Sequence, residues 1–467
     1  MATSKLMKKA VLVGVQLPKV SNQEHEASMQ ELGRLVTTLG YEVIGHLSQK
    51  RTSQKNANVI GDGRLKVLAS WTGGTGVVAS MVQHKKSKAA LKFTKNQDDE
   101  NEEGSEDEVD ENDGEASSDL AVEAPKELAD VVIFDCDLSP SQLRNIESAT
   151  GVKALDRTGV IIEIFSRHAR TKSARLQVEI ARLTYVAPRL RETGASSDQQ
   201  GGGGKGSGET SLELDRRHIR DRIKELKTEL ASIENEHLVR RARRDQEISV
   251  ALVGYTNAGK SSLMRAMTGS EVLVADKLFA TLDTTVRPLV PETRPKILIS
   301  DTVGFIKKLP HDLVASFKST LDEALNASLL LYVVDASDPT FRSQLEVTRT
   351  VLAEVGASDV PSLLILNKRD RLSAEQINGL KSEYPQAIFL STRDANDLKD
   401  LRIRLIENFE TNMLDEDIYI PYTTAGAIGE IRQRMRVLGE SYNDKGTTLK
   451  VRASEEDLRR LKKKFSL

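Results

Sequence analysis

The chain has 467 residues, 39% hydrophobic and 29% charged, a balance that excludes a wholly disordered protein and leaves room for two to four domains. Its single cysteine, Cys136, excludes an internal disulfide and points to a reducing compartment, where it reads as a small core residue. No apolar run approaches the roughly 20 residues that a membrane helix needs, and no secretory signal precedes the strand-like residues 10–15, so a soluble, cytoplasmic protein with no membrane span is expected.

Charge is unevenly spread. Residues 98–119 hold 13 acidic residues and no Lys or Arg, so the whole chain's −2 becomes +11 for the remainder. Such a surplus either favours polyanionic partners or reflects scattered surface lysines.

In chain order, apolar runs at residues 10–15 and 41–44 flank a helix-patterned stretch at 28–39, and a further strand is expected at 76–79. Residues 96–118 are too charged to order themselves. Strand character returns at 131–134 and 152–155 around a helical 140–149. Residues 1–166 therefore form an N-terminal α/β domain with a disordered acidic insertion at 96–128. Across 167–245, Leu176, Ile180, Leu183 and Val186 recur at helical spacing, as do Ile219, Ile223, Leu226, Leu230 and Ile233. This is a helical hairpin, and its glycine-rich tip at 199–208 is either simply flexible or suited to close approach to a ligand.

From 246 to 412 strands and helices alternate (248–253, 260–268, 296–300, 329–334, 345–355, 362–366 and 387–390), which calls for a doubly wound, mostly parallel sheet. Residues 413–467 read as a small α+β module: strand 418–421, helix 425–438, a strand–turn–strand around Asn443 to Gly446, and a basic helix at 455–465. The fold class is thus α/β and multidomain.

Gly254-Tyr255-Thr256-Asn257-Ala258-Gly259-Lys260-Ser261 matches the P-loop pattern between an apolar strand and a helix, with Ser262 continuing into the helix. Its backbone N–H groups can cradle a β-phosphate, Lys260 can reach the β- and γ-phosphates, and Ser261 can ligate Mg²⁺. About 40 residues on, Asp301-Thr302-Val303-Gly304 ends a strand, where a carboxylate can hold a magnesium-bound water and the Gly304 amide can approach a γ-phosphate. Asn367-Lys368-Arg369-Asp370 ends another. Its aspartate can accept from both the ring N–H and the exocyclic amine of guanine, so GTP/GDP rather than ATP is the expected nucleotide. Lys368 would lay its aliphatic stem along the base and Asn367 would brace the loop.

Between these motifs, Phe279-Ala280-Thr281-Leu282-Asp283 offers Thr281 to cover the γ-phosphate and complete the Mg²⁺ shell. Ser391-Thr392-Arg393 either caps the base with backbone amides or is an ordinary strand exit. The catalytic set expected is Lys260, Thr281 and Gly304. Phe305 stands where many GTP-hydrolysing proteins carry a water-orienting glutamine, and it can neither donate nor accept a hydrogen bond. Arg287 is the nearest arginine in the switch segments.

On these motifs the chain resembles the HflX family of ribosome-associated GTPases, in the Obg–HflX branch. The likeness extends to residues 276–283, to 301–306 with Leu309-Pro310-His311, and to Ile60-Gly61-Asp62-Gly63. It also takes in Leu138-Ser139-Pro140-Ser141-Gln142, Asp156-Arg157-Thr158-Gly159, Leu176-Gln177-Val178-Glu179, Gly208-Glu209-Thr210 and Asp215-Arg216-Arg217. The resemblance implies an N-terminal α/β domain, a helical hairpin, a GTPase domain and a C-terminal module. It further implies binding to the large ribosomal subunit and its RNA, and a role in splitting or recycling ribosomes under stress. Thr281 becomes the switch threonine on Mg²⁺ by the same carry-over, and a monomer is expected. The chain departs from the family at the tip, which lacks the usual arginine-proline pair and the preceding tryptophan, and at Thr392, where alanine is common. The reading from another class is an RNA-binding or assembly factor that uses GTP only as a conformational ligand.

Deleting residues 98–119 is expected to leave cooperative unfolding and nucleotide binding intact, because so acidic a segment buries almost nothing. Removing 13 negative charges should also tighten binding to RNA at low salt. A salt titration of RNA binding beside a thermal melt checks both, and weaker binding or lost cooperativity would contradict them.

Overall fold

The computed structural model describes residues 7–78, 127–193, 211–242, 247–269, 278–279, 284–308, 323–411, 413–424 and 426–465. It divides into two compact units, Met1–Ser21 with Tyr41–Asp156, and Asn22–Gly40 with Arg157–Leu467.

The first unit is a parallel sheet in the order β2-β1-β3-β4, built from β1 (Lys8–Gln16), β2 (Tyr41–Lys50), β3 (Val131–Phe134) and β4 (Lys153–Asp156). Val11, Val13, Val132 and Phe134 pack with Leu65 and Leu68 of α2 (Asp62–Thr72) and Ile146 and Ala149 of α3 (Pro140–Thr150). Cys136 lies in this core. Helix α3 starts where it does because Ser139 caps the Gln142 N–H, Gln142 returns a bond to the Ser139 N–H, and Pro140 occupies the first turn. Gln142 then donates to the Gln54 and Asn56 carbonyls at 2.7 and 2.8 Å, which fixes the loop before α2.

The strand expected at 76–79 does not form across its described part, residues 76–78. Gly73 and Gly76 take left-handed φ values of +80° and +69°, which end α2 and turn the chain, and Gly76 donates to the Ala149 carbonyl at 2.9 Å. The acidic insertion falls almost wholly outside the described residues.

In the second unit, α1 (Asn22–Thr38) and α4 (Arg157–His168) precede two long helices, α5 (Lys172–Thr193) and α6 (Ser211–Ala242). Leu176, Ile180 and Leu226 form the buried seam of that hairpin, flanked by Leu183, Ile223, Leu230 and Ile233. Helix α4 runs through the expected boundary at 166/167. The tip at 199–208 lies outside the described residues.

The central sheet has the order β10-β9-β8-β5-β7-β6. Its strands are β5 (Ile248–Val253), β6 (Thr285–Pro288), β7 (Ile297–Asp301), β8 (Leu329–Asp335), β9 (Ser362–Asn367) and β10 (Ile388–Phe389). All pairings are parallel except β6 with β7. Helices cover both faces: α7 (Lys260–Thr268) and α10 (Ala395–Glu410) pack on one cluster, α8 (Phe341–Glu354) and α9 (Ala374–Glu383) on another. A sheet covered on both faces is largely apolar in its strands, as Ile297, Leu298 and Ile299 of the fully buried β7 are, before Ser300 and Asp301 at its carboxyl end. In such sheets ligands bind beyond the carboxyl ends of the strands, where the order reverses, here beside β5.

The last module is an antiparallel sheet, β11-β13-β12, with β11 (Leu414–Pro421), β12 (Arg436–Asn443) and β13 (Gly446–Ala453). Helices α11 (Ala427–Arg434) and α12 (Glu455–Phe465) share its core. The helix expected at 425–438 stops early. Met435, buried at 2% exposure, takes extended backbone (φ −113°, ψ 153°), and the chain continues as β12. Helical periodicity and strand alternation coincide over so short an apolar stretch, and the core contact of Met435 decides between them.

Candidate nucleotide site

The loop after β5 turns on Gly254, which leaves the strand at φ +151°. Asn257 and Gly259 are also left-handed, at +61° and +97°. This curl leads the chain into α7, whose N-terminus favours an anion. Gly259 has a second reason to be glycine: a Cβ there would lie 2.3 Å from the Asn367 amide nitrogen.

Lys260 is buried, at 6% exposure, and its ammonium donates to the Gly254 and Tyr255 carbonyls at 2.9 and 2.8 Å. Burial pushes it down to about 8, partly opposed by the field of Asp301. At the end of β7, Asp301 is fully buried and accepts from the Ser261 hydroxyl at 2.7 Å. Thr302 anchors to the Leu252 carbonyl at 2.7 Å, and Val303 is buried. A Cβ on Gly304 would lie 3.0 Å from the Lys260 ammonium and from the Thr256 Cα, so a larger residue here would push this segment away from the P-loop. Phe305 zips to the P-loop through two backbone bonds, Thr256 N to Phe305 O at 2.8 Å and Phe305 N to Gly254 O at 3.1 Å. Its side chain is 3% exposed, a packing residue.

The end of β9 meets the same loop. Asn367 donates to the Ala258 carbonyl at 2.8 Å and receives the Thr392 N–H at 3.4 Å. Lys368, at φ +62°, donates to the Asn257 carbonyl at 2.9 Å and to Asp335 at 2.6 Å. Asp370 accepts from the Ser391 hydroxyl at 2.7 Å, the main reason its carboxyl titrates below the ordinary range, with Arg393 3.9 Å away. Ser391 is in turn held by Asp397, which accepts its N–H at 2.7 Å.

The structure thus brings residues 254–262, 301–304, Asn367, Lys368, Asp370 and 391–393 to one edge of the sheet. Ala280, Thr281, Leu282 and Asp283 lie outside the described residues, as do Leu309, Pro310 and His311. Phe279, at 2% exposure, stacks its ring edge-on against Phe165 of α4, centroids 4.6 Å apart.

Two features escaped the sequence reading. Asp335, the partner of Lys368, closes β8 one residue beyond the predicted strand, and its position at a carboxyl edge was the available signal. The Tyr255 hydroxyl donates to Glu31 of α1 at 2.5 Å and accepts the Lys307 N–H at 2.6 Å, a pairing across more than 200 residues that no local pattern encodes.

Hard oxygen donors at Ser261 and Asp301, side by side at the mouth of the loop, suit Mg²⁺. No group of three His, Cys, Asp or Glu among the described residues forms a metal cluster of another kind. No described helix is long and apolar enough to cross a membrane.

Three family models match the chain: "GTP-binding GTPase N-terminal" over residues 115–166, "GTP-binding GTPase Middle Region" over 168–244 and "50S ribosome-binding GTPase" over 249–368. Among solved structures, a GTP-binding protein from Sulfolobus solfataricus in complex with GDP is 23% identical, with a TM-score of 0.41 over 86% of this chain and 98% of that one. The protein named GTPase HflX from Gluconacetobacter diazotrophicus is 55% identical over 460 residues, 98% of each chain. That from Caldanaerobacter subterraneus subsp. tengcongensis is 36% identical over 462 residues, 97% of this chain and 93% of its own. With this identity along nearly its whole length, and with nucleotide motifs meeting at one sheet edge, the chain belongs to the HflX family of GTPases.

Proposed function

We propose that this chain is a cytoplasmic, monomeric GTPase switch that binds the large ribosomal subunit and its RNA and splits or recycles ribosomes under stress. Four parts would carry that role: residues 1–166, the hairpin 167–245, the GTPase domain 246–412 and the module 413–467. The observation that carries the reading is the meeting of Lys260, Ser261 with Asp301, and Asp370 with Ser391 at the carboxyl ends of β5, β7 and β9.

In this reading Lys260 and the backbone amides at the N-terminus of α7 neutralise and hold the β- and γ-phosphates. Mg²⁺, when bound, offsets phosphate charge; Ser261 and Thr281 would hold it directly and Asp301 through a water. The Gly304 amide meets the γ-phosphate. Asn367 braces the P-loop against the base loop, Lys368 covers the base, and Asp370 reads the two guanine donors while Ser391 fixes its carboxylate. Amides of residues 391–393 complete the base pocket. Phe305 cannot orient water, so this chain is suited to slow intrinsic hydrolysis and to acceleration by a partner that orders Thr281 and residues 301–311.

Phosphates need the charged form of Lys260, yet the ligand-free chain holds it at about 8. Above that pH, binding must therefore take up a proton, and GTP affinity should fall by up to about tenfold per unit. Folding alone shows the opposite slope. Because the folded value lies below the ordinary 10.5, the cost of burying the charge is full below about 8 and relieved as pH rises toward 10.5. Calorimetric titration in buffers of different ionisation enthalpy should show no proton uptake at neutral pH and uptake approaching one proton above about 8. Equal uptake at both would remove Lys260 from the phosphate site.

Single-turnover hydrolysis of GTP by the saturated chain tests the switch. We expect large ribosomal subunits to accelerate it by at least about tenfold, as completion of a catalytic site by a partner does. A rate fast in isolation and unmoved by subunits would contradict partner activation.

A further inference from the structure

The nucleotide loops are tied to helices outside the central sheet by groups that touch no predicted phosphate or base. Tyr255 is buried, at 4% exposure, and its hydroxyl sits between Glu31 of α1 and the Lys307 N–H. Arg157, the first residue of α4 and 1% exposed, pairs with the other oxygen of Glu31. A hydroxyl has one hydrogen. Because Glu31 takes it, the lone pairs of the phenol oxygen are left to face Lys307, and polarisation by the carboxylate makes that oxygen a better acceptor. Burial, reinforced by the Glu31 charge, pushes the phenol up, so it stays the donor at any working pH.

The tie acts at a sensitive place. Residues 305–307 follow Gly304, whose amide must meet the γ-phosphate, and their other bonds to the P-loop are the two backbone bonds of Phe305. A second contact joins α4 to the segment that leads into Thr281: Phe279 stacks on Phe165 of α4.

We propose that Glu31 is a positioning residue for GTP hydrolysis, holding the segment after Gly304 in register through the Tyr255 hydroxyl with Arg157 as its brace. The helices α1 and α4 thereby set the hydrolysis rate without contacting nucleotide. The inference rests on the GTPase reading of the site above. Loss of the carboxylate leaves the amides of residues 254–261 and the base loop in place, so affinity should hold while the ordering of Gly304 in the transition state is lost.

The test measures single-turnover GTP hydrolysis and equilibrium GTP affinity for the full chain, for Glu31→Gln, for Tyr255→Phe and for the double variant. Glu31→Gln should slow hydrolysis about tenfold, a charge-assisted bond's worth, with affinity within about twofold of the parent. Tyr255→Phe should do the same, and the double variant should be no slower than either, since all three break one chain of bonds. Unchanged rates in both single variants would overturn the proposal. So would losses that multiply in the double variant, or affinity falling in step with rate as a merely structural role predicts. Failure of the parent chain itself to bind GTP would instead sink the site assignment.

Discussion

A lysine ammonium buried against two backbone carbonyls is the constraint around which the second unit is organised. Removing that charge from water is costly, and carbonyl oxygens offset only part of the cost, as the depressed proton affinity of Lys260 records. Asp301, whose field partly opposes that shift, accepts from the Ser261 hydroxyl. Strand β5 delivers the lysine to the middle of the sheet, β7 delivers Asp301 and Gly304 beside it, and β9 delivers the loop from Asn367 to Asp370. Each of these residues ends or follows a strand of the central sheet.

The loops are also bonded to one another, so that the site behaves as a unit. Asn367 joins the base loop to Ala258, Lys368 joins it to Asn257 and Asp335, and Phe305 joins the segment after β7 to Gly254 and Thr256. A phosphate drawn to Lys260 would be felt at the Gly304 segment through those backbone bonds, and by way of Tyr255 at α1 and α4. That connectivity gives a physical route from the nucleotide to a helical surface, which a switch requires.

Much of this was legible in the residues because strand ends and glycine-rich turns are local signals. The P-loop, Asp301 and Asn367 to Asp370 each followed an apolar run that the structure makes a parallel strand. Ser391 is ambiguous in sequence, since a serine at a strand exit has no pattern of its own; in the structure its hydroxyl bonds Asp370. The motif from Leu138 to Gln142, noticed only as a likeness, proves to be a helix cap and loop brace. Harder cases depended on distant partners. Nothing near Met435 distinguishes a helix from a strand until its core contacts are known, and nothing near Tyr255 announces Glu31. Nothing near Phe279 announces Phe165, on which its ring stacks.

In the function proposed above, Asp370, fixed by Ser391, reads guanine for a phosphate site centred on Lys260. Competition of GTP, ATP and xanthosine triphosphate for one labelled GDP on the full chain, parent against Asp370→Asn, tests it most directly. A site built to hydrogen-bond its ligand rejects a mismatched one by about 10⁴-fold or more. The parent should therefore show that preference for GTP over ATP, and Asp370→Asn should lose most of it while gaining on the xanthine nucleotide. A variant that keeps the parent's full preference for GTP over both competitors would contradict that role of Asp370.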